Sequence, residues 1–186
     1  NMVEHSPFLS RRSEKCRVIP YGIHVERYAD TPGLLARAAE LREGHERPIV
    51  LFVGRLVYYK GPEVLVRAMA GVDADAVIIG RGPLKRELEA LAGSIGVAKR
   101  ITFLDPVDDD ELAAWYHAAD VFCLPSVARS EAFGLVQIEA HAAGTPVVST
   151  RLPTGVPYAN QDGVTGLTVP VADVSALREA LSRLLS

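Results

Sequence analysis

The sequence lacks most of the features that would mark a specialised class. Cys16 and Cys123 are its only cysteines in 186 residues, and no CxxC or Cys/His cluster exists. That argues against a structural zinc site, and nothing in the pattern asks for a disulfide. Cys123 sits in the apolar run "DVFCLP" and reads as packing. No signal peptide is evident, and no apolar run approaches the roughly 18 residues a membrane span needs. The expectation is a soluble, cytoplasmic chain. There is no excess of positive charge: the net charge is −3, and nothing marks a nucleic-acid binder. Internal repeats and low-complexity segments are missing too.

What is present is an ordinary globular profile, 48 % apolar and 23 % charged. A chain of this length suits one domain that buries roughly two thirds to three quarters of its surface. Asn1 precedes Met2, and "VEHSPFLSRRSEKC" is polar with no obvious start of a fold. The final "LREALSRLLS" has no cap or tail. Residues 1–16 are therefore expected to be a linker or the end of a preceding domain, and 17–186 the folded unit.

Short apolar runs alternate with segments of helical period. The runs cover 17–22, 48–54, 75–80, 100–105, 120–125, 146–150 and 166–170. Several are continuously apolar and rich in Val and Ile, as strands buried on both faces are. Helices are predicted over 33–44, 61–71, 83–96, 108–119, 134–144 and 173–185. The segment "PLKRELEALAGSIG" has Pro in its first turn and apolar residues at 84, 88, 91 and 95. "DDDELAAWYHAA" opens with acids that complement a helix dipole. This alternation predicts an α/β fold: a Rossmann-like, doubly wound, mostly parallel sheet. In such sheets, ligands bind beyond the carboxyl ends of the strands, so the loops there carry the candidate chemistry.

Three loops stand out. "GRLVYYKG" places Arg55 after Gly54 and Lys60 before a helix start, which suits a diphosphate; two solvated surface cations are the other reading. "GRGP" (80–83) is only a fragment of a dinucleotide fingerprint, and a plain tight turn is the better reading of it alone. Gly82, being small, would let backbone approach a ligand closely. In "SEAFGLVQIEAHAAGTP", the N–H groups of Gly134 and Leu135 open a helix and can face a phosphate. A carboxylate at Glu139 would repel that phosphate but accept hydrogen bonds from ribose hydroxyls, and Glu131 from a second sugar. Ordinary solvated acids remain the alternative for both. The segment 154–166 reads either as a lid or as a plain connection. His5, His45, His117 and His141 have no partners at motif spacing and read as surface or packing residues.

Taken together, "RVIPYGIHVERY", "VGRLVYYKG", "GRGP", "SEAFGLVQIEAHAAGTPVVST" and "DGVTGLTVP", in that order, resemble the nucleotide-sugar-binding, C-terminal half of retaining glycosyltransferases of family 4, which have the GT-B fold. Glu131 and Glu139 match that family's Glu-x7-Glu motif. The resemblance implies that Arg55 and Lys60 bind the donor diphosphate, Glu131 the donor-sugar hydroxyls and Glu139 the ribose. Backbone at Phe133, Gly134 and Leu135 would contact sugar and phosphate. Gly54, Gly80, Arg81, Gly82, Pro106 and Val107 would complete the donor site around the base. Arg55, Lys60 and Glu131 are the residues it assigns to the reaction itself, with neither glutamate a nucleophile.

The resemblance further implies a UDP- or GDP-sugar substrate, no cofactor and no metal. The partners would be an acceptor-binding domain earlier in the same protein and a glycan or lipid-linked acceptor, with the whole enzyme peripheral to the inner face of a membrane. Transfer would proceed with retention, in lipopolysaccharide or other surface-polysaccharide synthesis. This stretch alone would bind donor weakly and transfer little. Two departures stand out: His24 where the family usually has an acid, and Ala132 where Gly is frequent. An epimerase or sucrose-type synthase of the same fold, or a nucleotide-sensing Rossmann-like module, are the competing readings.

Overall fold

In the computed structural model, which describes residues 3, 6–17, 19 and 21–186, six of the seven apolar runs become strands. They are β1 (Ile49–Val53), β2 (Asp75–Ile79), β3 (Ile101–Leu104), β4 (Val121–Leu124), β5 (Val147–Thr150) and β6 (Gly166–Val169). All pairings are parallel, in the order β3-β2-β1-β4-β5-β6. The chain therefore winds outward in one direction from β1, then returns and winds outward in the other from β4. That reversal is the topological switch point of a doubly wound sheet.

The helices are α1 (Pro32–Glu43), α2 (Pro62–Ala68), α3 (Lys85–Ser94), α4 (Asp109–Ala118), α5 (Leu135–Ala142), α6 (Val156–Ala159) and α7 (Val174–Leu184). Their starts follow from sequence. Thr31, Asp108 and Asp173 cap α1, α4 and α7 by accepting from the N–H groups of Leu34, Glu111 and Ala176. Each such cap contributes about 1 kcal/mol. Proline opens α1 and α2, where its missing N–H costs nothing.

Every residue of β1 and β4 is buried, which explains their unbroken apolar runs. Alternate residues feed two cores. Val50 and Phe52 point into one with Leu65, Leu88 and Leu177, beneath α2, α3 and α7. Ile49, Leu51 and Val53 point into the other with Tyr116, Phe122 and Ala140, beneath α1, α4 and α5. Each large apolar side chain so buried stabilises the fold by roughly 1.5–3 kcal/mol. Cys123 is wholly buried in the first core, and burial pushes its thiol pKa up, as a packing residue requires.

One expectation needs correction. The run 17–22 forms no strand in its described residues, Arg17, Ile19, Tyr21 and Gly22; Val18 and Pro20 lie outside them. The sheet ends at β3 and β6, and the following residues instead pack against the second core through Ile23 and Tyr28. A short apolar run cannot by itself tell a sheet edge from a segment laid over helices. Within 154–166, Asn160 is fully buried. Its Nδ2 donates to Val147 O at 3.3 Å, Ser149 Oγ at 2.9 Å and Leu167 O at 3.0 Å. That side chain fastens the segment at Asn160 between β5 and β6, as a plain connection requires. Of the proposed linker, Ser10–Lys15 forms a 3-10 helix with no buried residue, while Asn1, Met2, Glu4 and His5 lie outside the described residues.

Candidate active site

Four strand ends bring the predicted residues to one rim. Gly54 follows β1, Gly80 follows β2, Pro106 follows β3, and the loop containing Glu131 follows β4. Gly80 is dictated by a close approach. A Cβ there would lie 1.9 Å from the Gly54 carbonyl oxygen, and the φ of +149° favours glycine as well. At Gly82, a Cβ would lie 2.3 Å from the Leu56 carbonyl oxygen. Gly82 thus sits against the neighbouring loop of the rim, which accounts for its small size without a ligand.

Gly54, Arg55, Gly80, Arg81, Pro106 and Val107 line one cleft of about 500 Å³. Val53, Ile79 and Leu112 supply its apolar walls. A flat aromatic group between glycine backbone and aliphatic walls suits a cavity of this size. The structure thus brings together all the residues assigned to the base pocket except Gly82, and adds Leu112, which carried no sequence signal.

Lys60 and Glu131 meet across the switch point. Lys60 Nζ lies 2.6 Å from Glu131 Oε2, with the two side chains only 14 % and 7 % exposed. Ser126 donates its hydroxyl to the same carboxylate oxygen at 3.0 Å, and its own carbonyl accepts from Thr150 Oγ1 at 2.6 Å. Desolvating two charges is costly, and a pair so placed persists only with good geometry and added hydrogen bonds. Here Ser126 supplies one. The two loops are also joined through backbone: Val127 N donates to Tyr59 O, and the left-handed Gly61 (φ +66°) brings its Cα against the Pro125 carbonyl, where a Cβ would be 2.0 Å away. Ser126 closes "LPS" at a strand end, a position that sequence could have flagged.

The mouth of α5 is also an opening. Gly134 is its N-cap, without a side-chain cap bond. Among the described residues, the N–H groups of Gly134 and Leu135 have no protein acceptor. The buried Gln137 fixes this turn, donating from Nε2 to Phe133 O at 3.0 Å and, at longer range, to Gly134 O. Such a helix start attracts anions. Phe133 turns toward a different and larger hollow of about 1320 Å³, where its ring meets Tyr21 at 5.8 Å and Tyr158 at 6.3 Å.

Glu139 is half-buried, and Tyr116 donates to its Oε2 at 2.8 Å. Burial, then the nearby Glu139, raises the Tyr116 phenol well above its ordinary pKa. The same causes push Tyr28 up to about 12. Neither tyrosine was foreseen at the site, because both look like core aromatics in sequence. The histidines are better partnered than their spacing suggested: His45 Nδ1 lies 3.0 Å from Asp75, and His117 Nε2 3.0 Å from Tyr28 O. A further hollow, of about 460 Å³, lies between the starts of α1 and α4, where Arg37 grips Glu111 through two bonds of 2.8 Å and Arg27 pairs with Asp109. No group of three or more acidic, histidine or cysteine side chains among the described residues is arranged to hold a metal. Nor is any described helix long and apolar enough to cross a membrane.

Comparison with known proteins gives the family and the fold. The chain is 38 % identical over 181 residues to the D-rhamnosyltransferase WbpZ of Pseudomonas aeruginosa, covering 97 % of this chain and 47 % of that one. It is 35 % identical over 178 residues to a GDP-mannose-dependent alpha-(1-6)-phosphatidylinositol monomannoside mannosyltransferase of Mycolicibacterium smegmatis, covering 90 % and 46 %. The chain thus spans about half the length of these relatives. The structure of HepE from Anabaena in complex with UDP superposes with a TM-score of 0.83 at 25 % identity, over 92 % of this chain and 48 % of that one. The fold is that of the C-terminal half of a GT-B glycosyltransferase. A family model described as glycosyl transferases group 1 matches residues 37–186, and the chain belongs to that family.

Proposed function

We propose that this chain is the donor-binding part of an enzyme that transfers a hexose-type sugar from a nucleoside-diphosphate sugar to a glycan or lipid-linked acceptor. The observation that carries this is the pairing of Lys60 with Glu131 across the switch point, beside the glycine-walled cleft. The base occupies the cleft at Gly80, Arg81, Pro106 and Val107. Arg55, Lys60 and the mouth of α5 take the diphosphate. Glu131 accepts from hydroxyls of the donor sugar, and Glu139 from the ribose. One lysine ammonium has three donors, so Lys60 can hold Glu131 and a phosphate oxygen together.

The chemistry follows from where charge develops. The bond between the anomeric carbon and the diphosphate breaks, and the leaving group gains negative charge. Fixed cations and N–H dipoles aimed at it stabilise the transition state more than the ground state. The acceptor hydroxyl oxygen bonds to the anomeric carbon on the face the diphosphate leaves, and the departing phosphate takes the hydroxyl proton, so the sugar is transferred with its configuration retained. Neither step calls for a metal. The acceptor side belongs to another part of the whole protein, so this stretch alone binds donor and transfers little. The whole enzyme acts, on this reading, at the cytoplasmic face of a membrane in lipopolysaccharide or related surface-glycan synthesis; the mannosyltransferase relative, whose name carries a phosphatidylinositol mannoside, supports a lipid-linked acceptor.

Calorimetry with UDP, GDP and NAD tests the reading. Binding of one diphosphate in preference to NAD is expected. Tighter binding of NAD than of either diphosphate would sink it.

A further inference from the structure

The carboxylate of Glu139 is tethered. Tyr116, near the end of α4, donates its hydroxyl hydrogen to Glu139 Oε2 at 2.8 Å. Tyr116 is itself wholly buried. Its ring lies edge-on to Tyr28 at 5.9 Å and is tilted against Phe122 of β4 at 5.6 Å. Its backbone carbonyl accepts from Thr145 Oγ1 at 2.6 Å, so the main chain is held from just beyond α5. A ring fixed on these sides places its hydroxyl at one point. The phenol stays protonated, and hence a donor, over the ordinary pH range. Among the described residues, the carboxylate of Glu139 has no other hydrogen-bond partner, and the residue is half-buried. One carboxylate oxygen is therefore occupied and the other remains for a ligand.

We infer that Tyr116 is a positioning residue for nucleoside recognition: it holds Glu139 in the rotamer whose second oxygen meets the ribose hydroxyls. The inference rests on the ribose reading of Glu139 given above. The physical reason is preorganisation. A free glutamate has three side-chain torsions to order when it accepts from a ligand, and that ordering opposes binding. A side chain already fixed by the protein has met this cost during folding. Tyr116→Phe removes the tether and one oxygen atom while keeping the ring and its packing.

A tie that merely joins α4 to α5 would affect every ligand alike; a positioning role acts only through the ribose hydroxyls. Titration calorimetry of the parent, Tyr116→Phe and Glu139→Ala against UDP, 2′,3′-dideoxy-UDP and pyrophosphate separates the two. The parent is expected to prefer UDP to its dideoxy analogue. Tyr116→Phe should weaken UDP about three- to tenfold, while the dideoxy analogue and pyrophosphate change less than about twofold, so the preference shrinks. Equal weakening of UDP and dideoxy-UDP, or no weakening of either, overturns the positioning role.

Glu139→Ala keeps the two readings apart. If it abolishes the preference while Tyr116→Phe leaves it intact, the ribose reading stands and this inference falls. If Glu139→Ala leaves the preference intact, the ribose reading itself is lost. A crystal structure of the parent with UDP is a second check that needs no variant to fold. Glu139 should keep Tyr116 on one oxygen and the ribose on the other, and a carboxylate that leaves Tyr116 on binding overturns the inference.

Discussion

Two charged regions of this molecule differ in what holds them. At the rim, Lys60 and Glu131 form a pair that is almost wholly buried, supported by Ser126 and by backbone bonds between their loops. Between α1 and α4, Arg37, Glu40 and Glu111 form a denser set of contacts, but on exposed helices. Exposed ion pairs give little, because water solvates the separated charges nearly as well and ordering the side chains opposes the gain. The crowded cleft spends both its arginines on acids, Arg37 on Glu40 and Glu111 and Arg27 on Asp109, and so offers an anion no unpaired cation. The sparse rim keeps the cation of Arg55 and the donors of α5 available. Density of charge is thus a poor guide to a site, and the burial of a few groups is a better one.

The contrast can be broken by substitution. Glu131→Ala leaves Lys60 desolvated and unpaired, and should cost about 3–5 kcal/mol in urea unfolding. Pairing Lys60→Met with Glu131→Leu should recover most of that loss while abolishing donor binding; a double variant as unstable as Glu131→Ala would show that the pair itself supports the fold. Gly80→Ala should lose about 2–4 kcal/mol from overpacking and strain together, since its Cβ meets the Gly54 carbonyl. Thermal melting of that variant would contradict the close approach if the midpoint did not move.

Arg55→Ala should leave stability unchanged and weaken UDP or GDP by about 1.5–3 kcal/mol, as loss of a charged hydrogen bond does. Unaltered affinity by calorimetry would remove Arg55 from the site. In the exposed cleft, Arg37→Ala should leave the urea unfolding midpoint nearly where it is, the smallest effect of the set.

The pH limits sharpen the same comparison. Hydrogen bonds from Arg37 hold the Glu111 carboxyl below its ordinary value of 4.5. Its contribution is present above that value and lost as the pH falls below it. Tyr28, raised from 10.0 to about 12, contributes stability that is full below pH 10 and fades as the pH rises toward 12. Melting curves from pH 3 to 12 should show Arg37→Ala flattening the acid limb slightly and Tyr28→Phe flattening the alkaline one. Parallel curves for parent and variant would remove the assignment in question.

Sequence carried most of the fold because both faces of β1 and β4 are buried, which writes itself as unbroken Val, Ile, Leu and Phe. The helix starts were legible for local reasons, at Thr31, Pro62, Asp108 and Asp173. The strand expected at 17–22 shows the limit: an apolar run states that a segment is covered, not by what. The rim residues were legible through family motifs and through the chemistry of cations and carboxylates. What the spacing did not reveal was their mutual contacts. Lys60 and Glu131 are far apart in the chain, and the pairing of β1 with β4, with the contacts between the loops that follow them, brings them together. Tyr116 and Asn160 read as an aromatic in a helix and a polar loop residue. Their hydrogen bonds to Glu139 and to β5–β6 depend on tertiary packing that no local pattern encodes.

The β1–β4 pairing has a consequence in time. Val50 pairs with Val121 across two strands and three α-helices, so this junction closes a long loop and should be among the later events of folding. On the proposed reading a nucleotide needs both walls, and cannot recognise a chain in which that junction is open. Bound UDP or GDP should therefore slow unfolding while leaving the refolding rate nearly unchanged. Stopped-flow refolding that accelerates with added nucleotide would show instead that the two walls meet early.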